Sequence, residues 1–138
     1  MKNIPKLKWV GSMHEGIPVA TDNLDACIKF YPEVLGLKLL VRPRALDKFS
    51  PNTWLEDEDD TVQFHLIAND NTLIPGKGAQ IEPAGRHTAL EIRNIGALRD
   101  PLNALKIEFE ETSSLLAKSQ VFVLGPQGHT WEFQGSTN

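Results

Sequence analysis

Met13-His14-Glu15-Gly16-Ile17-Pro18-Val19 and Arg86-His87-Thr88-Ala89-Leu90-Glu91-Ile92 are two versions of one pattern. In each, a histidine is followed three places on by an apolar residue and two places further by a β-branched one: Ile17 and Val19, then Leu90 and Ile92. Apolar side chains at period two predict a strand with one buried face. Pro18 cannot donate to a ladder, which assigns the first of these strands to a sheet edge or a bulge.

Outward from these strands the chain repeats itself. The first half is expected to run extended from Trp9 to Val19, with Asp22 capping the helix that follows. Leu24, Cys27, Ile28, Tyr31 and Leu35 form the apolar stripe of that helix, and Gly36 ends it. Pro32 removes one helical hydrogen bond and should kink or shorten the last turn. Strands are predicted over Leu37–Val41, Thr53–Glu56 and Thr61–Ala68, with the acidic run Glu56 to Asp60 as a solvated hairpin turn. Gln63, His65 and Ile67 share one face of the last strand, opposite Val62, Phe64 and Leu66. Asn69 to Arg86, rich in Asn, Gly and Pro, reads as a linker. The order then begins again. A strand starts at His87, and Ile95, Leu98, Leu102 and Leu105 line a helix. Strands follow over Lys106–Glu110, Gln120–Leu124 and Thr130–Gln134, the last two joined by the turn Gly125-Pro126-Gln127-Gly128. The fold expected is α+β: two βαβββ modules, about 9–68 and 87–134, in one domain spanning 9–134.

Composition excludes some functions. A net charge of −4 does not suit nucleic acid, which calls for a basic face. No stretch approaches the ~20 apolar residues of a membrane span, and the lysines near the start precede no apolar run of a signal peptide. The single cysteine, Cys27, allows no intrachain disulfide and sits on the apolar helix stripe, where a buried thiol is expected. A cytoplasmic location is the expectation.

The repeat extends to the ends of the modules. Val62-Gln63-Phe64-His65-Leu66 aligns with His129-Thr130-Trp131-Glu132-Phe133, so His65 pairs with Glu132 as His14 pairs with His87. Histidine fills only four of 138 positions, and three of them fall in these four equivalent slots. His129, in a glycine-flanked turn, is expected to be exposed to solvent.

These residues resemble the vicinal oxygen chelate superfamily, which includes glyoxalase I, extradiol dioxygenases, and fosfomycin- and bleomycin-resistance proteins. The likeness is carried by His14 to Val19 leading into Phe30-Tyr31-Pro32-Glu33-Val34-Leu35-Gly36-Leu37, by Gln63-Phe64-His65-Leu66-Ile67, and by Val123-Leu124-Gly125-Pro126-Gln127-Gly128 running on to Glu132. It implies a cup-shaped mixed β-sheet around one divalent metal ion (Fe, Ni, Zn, Co or Mn). It implies His14, His87 and Glu132 as ligands, with His65 in a slot some members use for a fourth. It also implies a small-molecule substrate and a homodimer, sometimes with modules exchanged between chains, a freedom the linker permits.

Two imidazoles and one carboxylate leave open positions on a divalent ion, the set used by non-haem iron oxygenases. One carboxylate leaves such a site with net positive charge, suited to an anionic oxygen ligand that the metal polarises. His65 divides the readings. The glyoxalase slot is usually a glutamate, whereas extradiol dioxygenases keep a histidine nearby for acid–base work. His65 is therefore read as a ligand or a general base, with a plain hydrogen-bonded core histidine as the remaining reading. The expectation is a metal-dependent enzyme acting on a small oxygen-rich molecule, tilted to a dioxygenase, with His65 and Glu132 as catalytic residues. A glyoxalase-like lyase or isomerase is the alternative. A non-catalytic, antibiotic-sequestering protein is the third reading, opposed by retention of all four slots. No basic cluster follows the last slot to hold a phosphonate. Arg42, following the second strand at the rim of the expected cup, is a candidate for substrate binding, and Trp54 for the cavity lining. Trp131 and Phe64 alternate away from the proposed ligands, into the core.

Overall fold

A computed structural model of the chain describes residues 6–40, 52–70, 79–113 and 119–136. The described residues form two modules in sequence. The first holds β1 (Glu15–Val19), α1 (Leu24–Leu35), β2 (Lys38–Leu40), β3 (Asn52–Glu56) and β4 (Gln63–Ala68). The second holds β5 (His87–Asn94), α2 (Ile95–Ala104), β6 (Phe109–Ser113), β7 (Ser119–Leu124) and β8 (Thr130–Ser136). Each module makes a mixed four-stranded sheet in the same order, β1-β4-β3-β2 and β5-β8-β7-β6. The two βαβββ modules expected from the repeat are present.

β1 is an edge strand parallel to β4, the place where Pro18 does no harm. It begins at Glu15 and not at Trp9: residues 6–14 carry no regular secondary structure. Asp22 does not cap α1. It lies in a single 3-10 turn, Thr21–Asn23, which feeds Asn23 into the capping position without a side-chain bond. The helix runs on through Pro32 to Leu35. Gly36, at φ 66°, then takes the left-handed conformation in which Gly36 and Leu37 donate back to Pro32 and Tyr31. In the second module β6 starts three residues later than expected, because Lys106 also turns left-handed, at φ 55°.

One core joins the modules. Ile17, Cys27, Tyr31, Leu55, Phe64 and Leu66 pack in the same buried cluster as Ile95, Leu102, Val121, Val123, Trp131 and Phe133. At its centre Tyr31 Oη accepts hydrogen bonds from Gln127 Nε2 and from Trp131 Nε1, the latter at 2.9 Å. Gln127 Oε1 in turn accepts from Cys27 Sγ at 3.3 Å. Burial pushes the Cys27 thiol up to about 11 and raises Tyr31 well above the ordinary phenol range. Gly125 is required beside this knot, since a Cβ there would stand 2.7 Å from Tyr31 Oη. Among the described residues no helix is long and apolar enough to cross a membrane.

Candidate functional site

Strand register verifies the equivalence read from the repeat. His65 lies opposite Gly16, two residues after His14. Glu132 lies opposite Ala89, two residues after His87. The four slots therefore occupy matching positions in the two sheets.

The structure brings these residues together as two pairs. In the second module His87 Nε2 lies 2.9 Å from Glu132 Oε2, with the carboxylate almost wholly buried. His87 Nδ1 lies 2.8 Å from the Gly85 carbonyl, an acceptor only, so Nδ1 carries a hydrogen. Glu132 Oε1 accepts from Gln120 Nε2 and from Gln134 Nε2, each at 2.7 Å. One carboxylate oxygen is thus held by two amides, and the other is aimed at the imidazole. In the first module His14 and His65 are stacked, ring centroids 3.9 Å apart and 14° from parallel. Trp54 stacks on His65 at 4.2 Å and 3°, completing a three-ring column. Gln63 Oε1 lies 2.8 Å from His65 Nε2 and orients the ring.

The two pairs do not converge within one chain. Glu15 and Phe64 are register partners in the first sheet, and Thr88 and Trp131 in the second. Thr88 Oγ1 donates to the Glu15 carboxylate at 2.7 Å, and Phe64 meets Trp131 edge-on at 4.9 Å. These are the faces by which the sheets meet. Alternation puts His65 on the opposite face of the first sheet and Glu132 on the opposite face of the second. Each pair is turned away from the shared core. Among the described residues, no three His, Cys, Asp or Glu side chains cluster as a metal would hold them.

Half of a centre is nevertheless well formed. An ion pair between His87 and Glu132 needs a second imidazole proton at Nε2, in the position a cation would take. Two ligands at right angles with bonds of about 2.1 Å stand about 3 Å apart, close to the separation seen; tetrahedral ligands would stand about 3.4 Å apart. His14 and His65 fit less simply. The lone pairs of stacked, nearly parallel rings lie in separate, nearly parallel planes, so the two stacked histidines do not converge on one ion.

Other candidates fall differently. Trp131 and Phe64 are in the core, as alternation required, and Trp54 stands on the His65 face. Arg42 lies outside the described residues. His129 is not in solvent: it is half-buried, with Nε2 2.7 Å from Thr88 Oγ1 and its ring edge-on to Trp131 at 5.0 Å. With the Thr88 hydrogen on Glu15, His129 Nε2 is the donor in that contact. Burial holds His129 below the ordinary histidine range, against the pull of Glu15. The sequence reading passed over Gln120 and Gln134. Gln134, two residues beyond Glu132 on the same strand face, carried the only local signal.

The family model for the glyoxalase/bleomycin resistance protein/dioxygenase superfamily matches residues 7–133, and the chain belongs to that superfamily. A putative glyoxalase family protein from Bacillus anthracis has the same fold, with a TM-score of 0.77 at 19% identity over 96% of this chain and 99% of that one. Lactoylglutathione lyase from Agrobacterium tumefaciens superposes with a TM-score of 0.65 at 15% identity, covering 94% and 97% of the two chains. The fosfomycin resistance protein FosX from Listeria monocytogenes, in complex with Mn(II) and a dihydroxypropylphosphonic acid, does so with 0.69 at 15% identity, covering 94% and 95%. No curated protein matches the sequence.

Proposed function

We propose that this chain is a metal-dependent enzyme acting on a small, oxygen-rich organic anion, with a centre shared between two copies. The observation that carries this is the His87–Glu132 pair, whose 2.9 Å edge, buried carboxylate and oriented ring suit a divalent cation. His87 and Glu132 of one chain supply one side, and His14 of a second chain completes the set. A homodimer with modules facing across the chains is the assembly this needs. When bound, the metal supplies Lewis acidity to the substrate's oxygens.

The chain's own residues do the rest. Gln120 and Gln134 fix Glu132, and the Gly85 carbonyl fixes His87. His65 is the proton carrier: Gln63 holds its Nε2 and the stack with Trp54 holds its plane. Proton transfer of the lyase or isomerase kind is the first reading, supported by the fold shared with lactoylglutathione lyase and FosX. Oxygen insertion, towards which the sequence tilts, is the second, favoured by a set of two histidines and one carboxylate.

Elemental analysis tests the proposal on purified wild type beside His14→Ala and His87→Ala. One divalent ion per chain in wild type and its loss from both variants are expected. Wild type that takes up no metal after reconstitution would remove every enzyme reading. If the ion is iron, oxygen uptake with catechols selects the second reading over the first.

A further inference from the structure

Leu7, Trp9, Val10 and Met13 are 78, 88, 105 and 87% exposed. Scattered apolar residues on a surface are ordinary, but four large ones within seven positions form a patch of the kind that marks an interaction site. They belong to residues 6–14, every one of which is exposed and outside regular secondary structure. Lys6 and Lys8 alternate with Leu7 and Trp9, so that over residues 6–9 an extended segment has one apolar and one cationic side. We infer that this arm is a clasp that docks on a second copy of the chain.

Three features select a second copy as the occupant. The first is position. The arm runs directly into His14, whose stack with His65 is on the outward face of its sheet, and the matching face bearing His87 and Glu132 is turned away from it in the same chain. In the two-chain centre proposed above, another copy presents that face to the arm. The second is edges: among the described residues β1 pairs with β4 alone and β5 with β8 alone, so each ends its sheet without a further strand. The third is size and charge. Four such side chains present roughly 600 Å², most of the about 800 Å² each partner buries in a standard interface. A cationic arm is also attracted to a chain of net charge −4. The inference rests on the two-chain centre proposed above, and assigns the contact that would hold that centre together.

Sedimentation equilibrium of the full chain, with and without Mn(II), tests it beside a Leu7→Glu/Trp9→Glu variant. Hydrogen exchange of residues 6–14 is followed in the same samples. Wild type should sediment at twice its 15.4 kDa mass with the arm amides protected. The variant should weaken dimerisation about tenfold or more with an unchanged circular dichroism spectrum. A monomeric wild type, an unprotected arm in the dimer, or a variant that dimerises as tightly would overturn the inference. An arm-dependent dimer that binds no metal would uphold the clasp and remove the metal reading. Metal binding with an arm that stays unprotected would do the reverse.

Discussion

Glu132 presents its two carboxylate oxygens to different partners: Oε2 stands 2.9 Å from His87 Nε2, while Oε1 accepts from Gln120 and Gln134 at 2.7 Å each. The amides occupy one oxygen and leave the other as the acceptor directed at the imidazole. Replacing either glutamine by leucine should weaken metal affinity about 10- to 100-fold, the usual cost of losing a ligand's supporting hydrogen bond. Isothermal titration with Mn(II) measures this. Equal affinity in Gln120→Leu and Gln134→Leu would show that Glu132 needs no such support.

His65 separates ligand from proton carrier. Its ring is sandwiched between Trp54 and His14, and parallel rings do not converge on one ion. His65→Gln should retain the metal content of wild type and lose activity about 10²- to 10⁴-fold, as for a missing acid–base group. Loss of metal from this variant would instead make His65 a ligand.

The hydrogen-bond knot at Tyr31 predicts a stability effect remote from the site. Tyr31→Phe removes the acceptor shared by Gln127 and Trp131 and leaves two buried donors unpaired. Each costs about 1–3 kcal/mol. Urea unfolding should show a lower midpoint with an unchanged slope, and Gly125→Ala, which crowds the same oxygen, should move it the same way.

His129 predicts a pH effect. Burial favours its neutral form in the fold, so the folded state takes up its proton at lower pH than the unfolded chain does. The stability it contributes is present above the ordinary histidine range, near pH 6.5, and is lost as pH falls through the folded value. Melting temperatures recorded from pH 8 to pH 5 should fall less steeply in His129→Asn than in wild type. Parallel profiles would place the acid sensitivity elsewhere.

Much of this was legible in the sequence because period-two and helical patterns report which side chains share a face. Ile17 and Val19, the Tyr31 stripe, Trp131 and Phe64 all went where their periodicity sent them. The pairing of His65 with Glu132 was legible too, since a repeat preserves register. What the pattern could not carry was which face meets which. Alternation sends Phe64 and Trp131 to the core and the ligand slots to the other face, but only the contact of Phe64 with Trp131 shows that the two sheets meet by those core faces. His129 was misread for a related reason. Its partner Thr88 is 41 residues away, and a local turn motif says nothing about it. The glutamines around Glu132 depend on a cross-strand neighbour, Gln120, invisible before β7 and β8 are paired.

The core running from Ile17 to Phe133 has a consequence for how the molecule comes apart. Two halves that still resemble each other in sequence no longer have separate interiors: Tyr31 of the first is bound to Gln127 and Trp131 of the second. Heat or denaturant should therefore melt both in one cooperative transition. A half produced on its own would expose the broken side of that interior and gain little by folding.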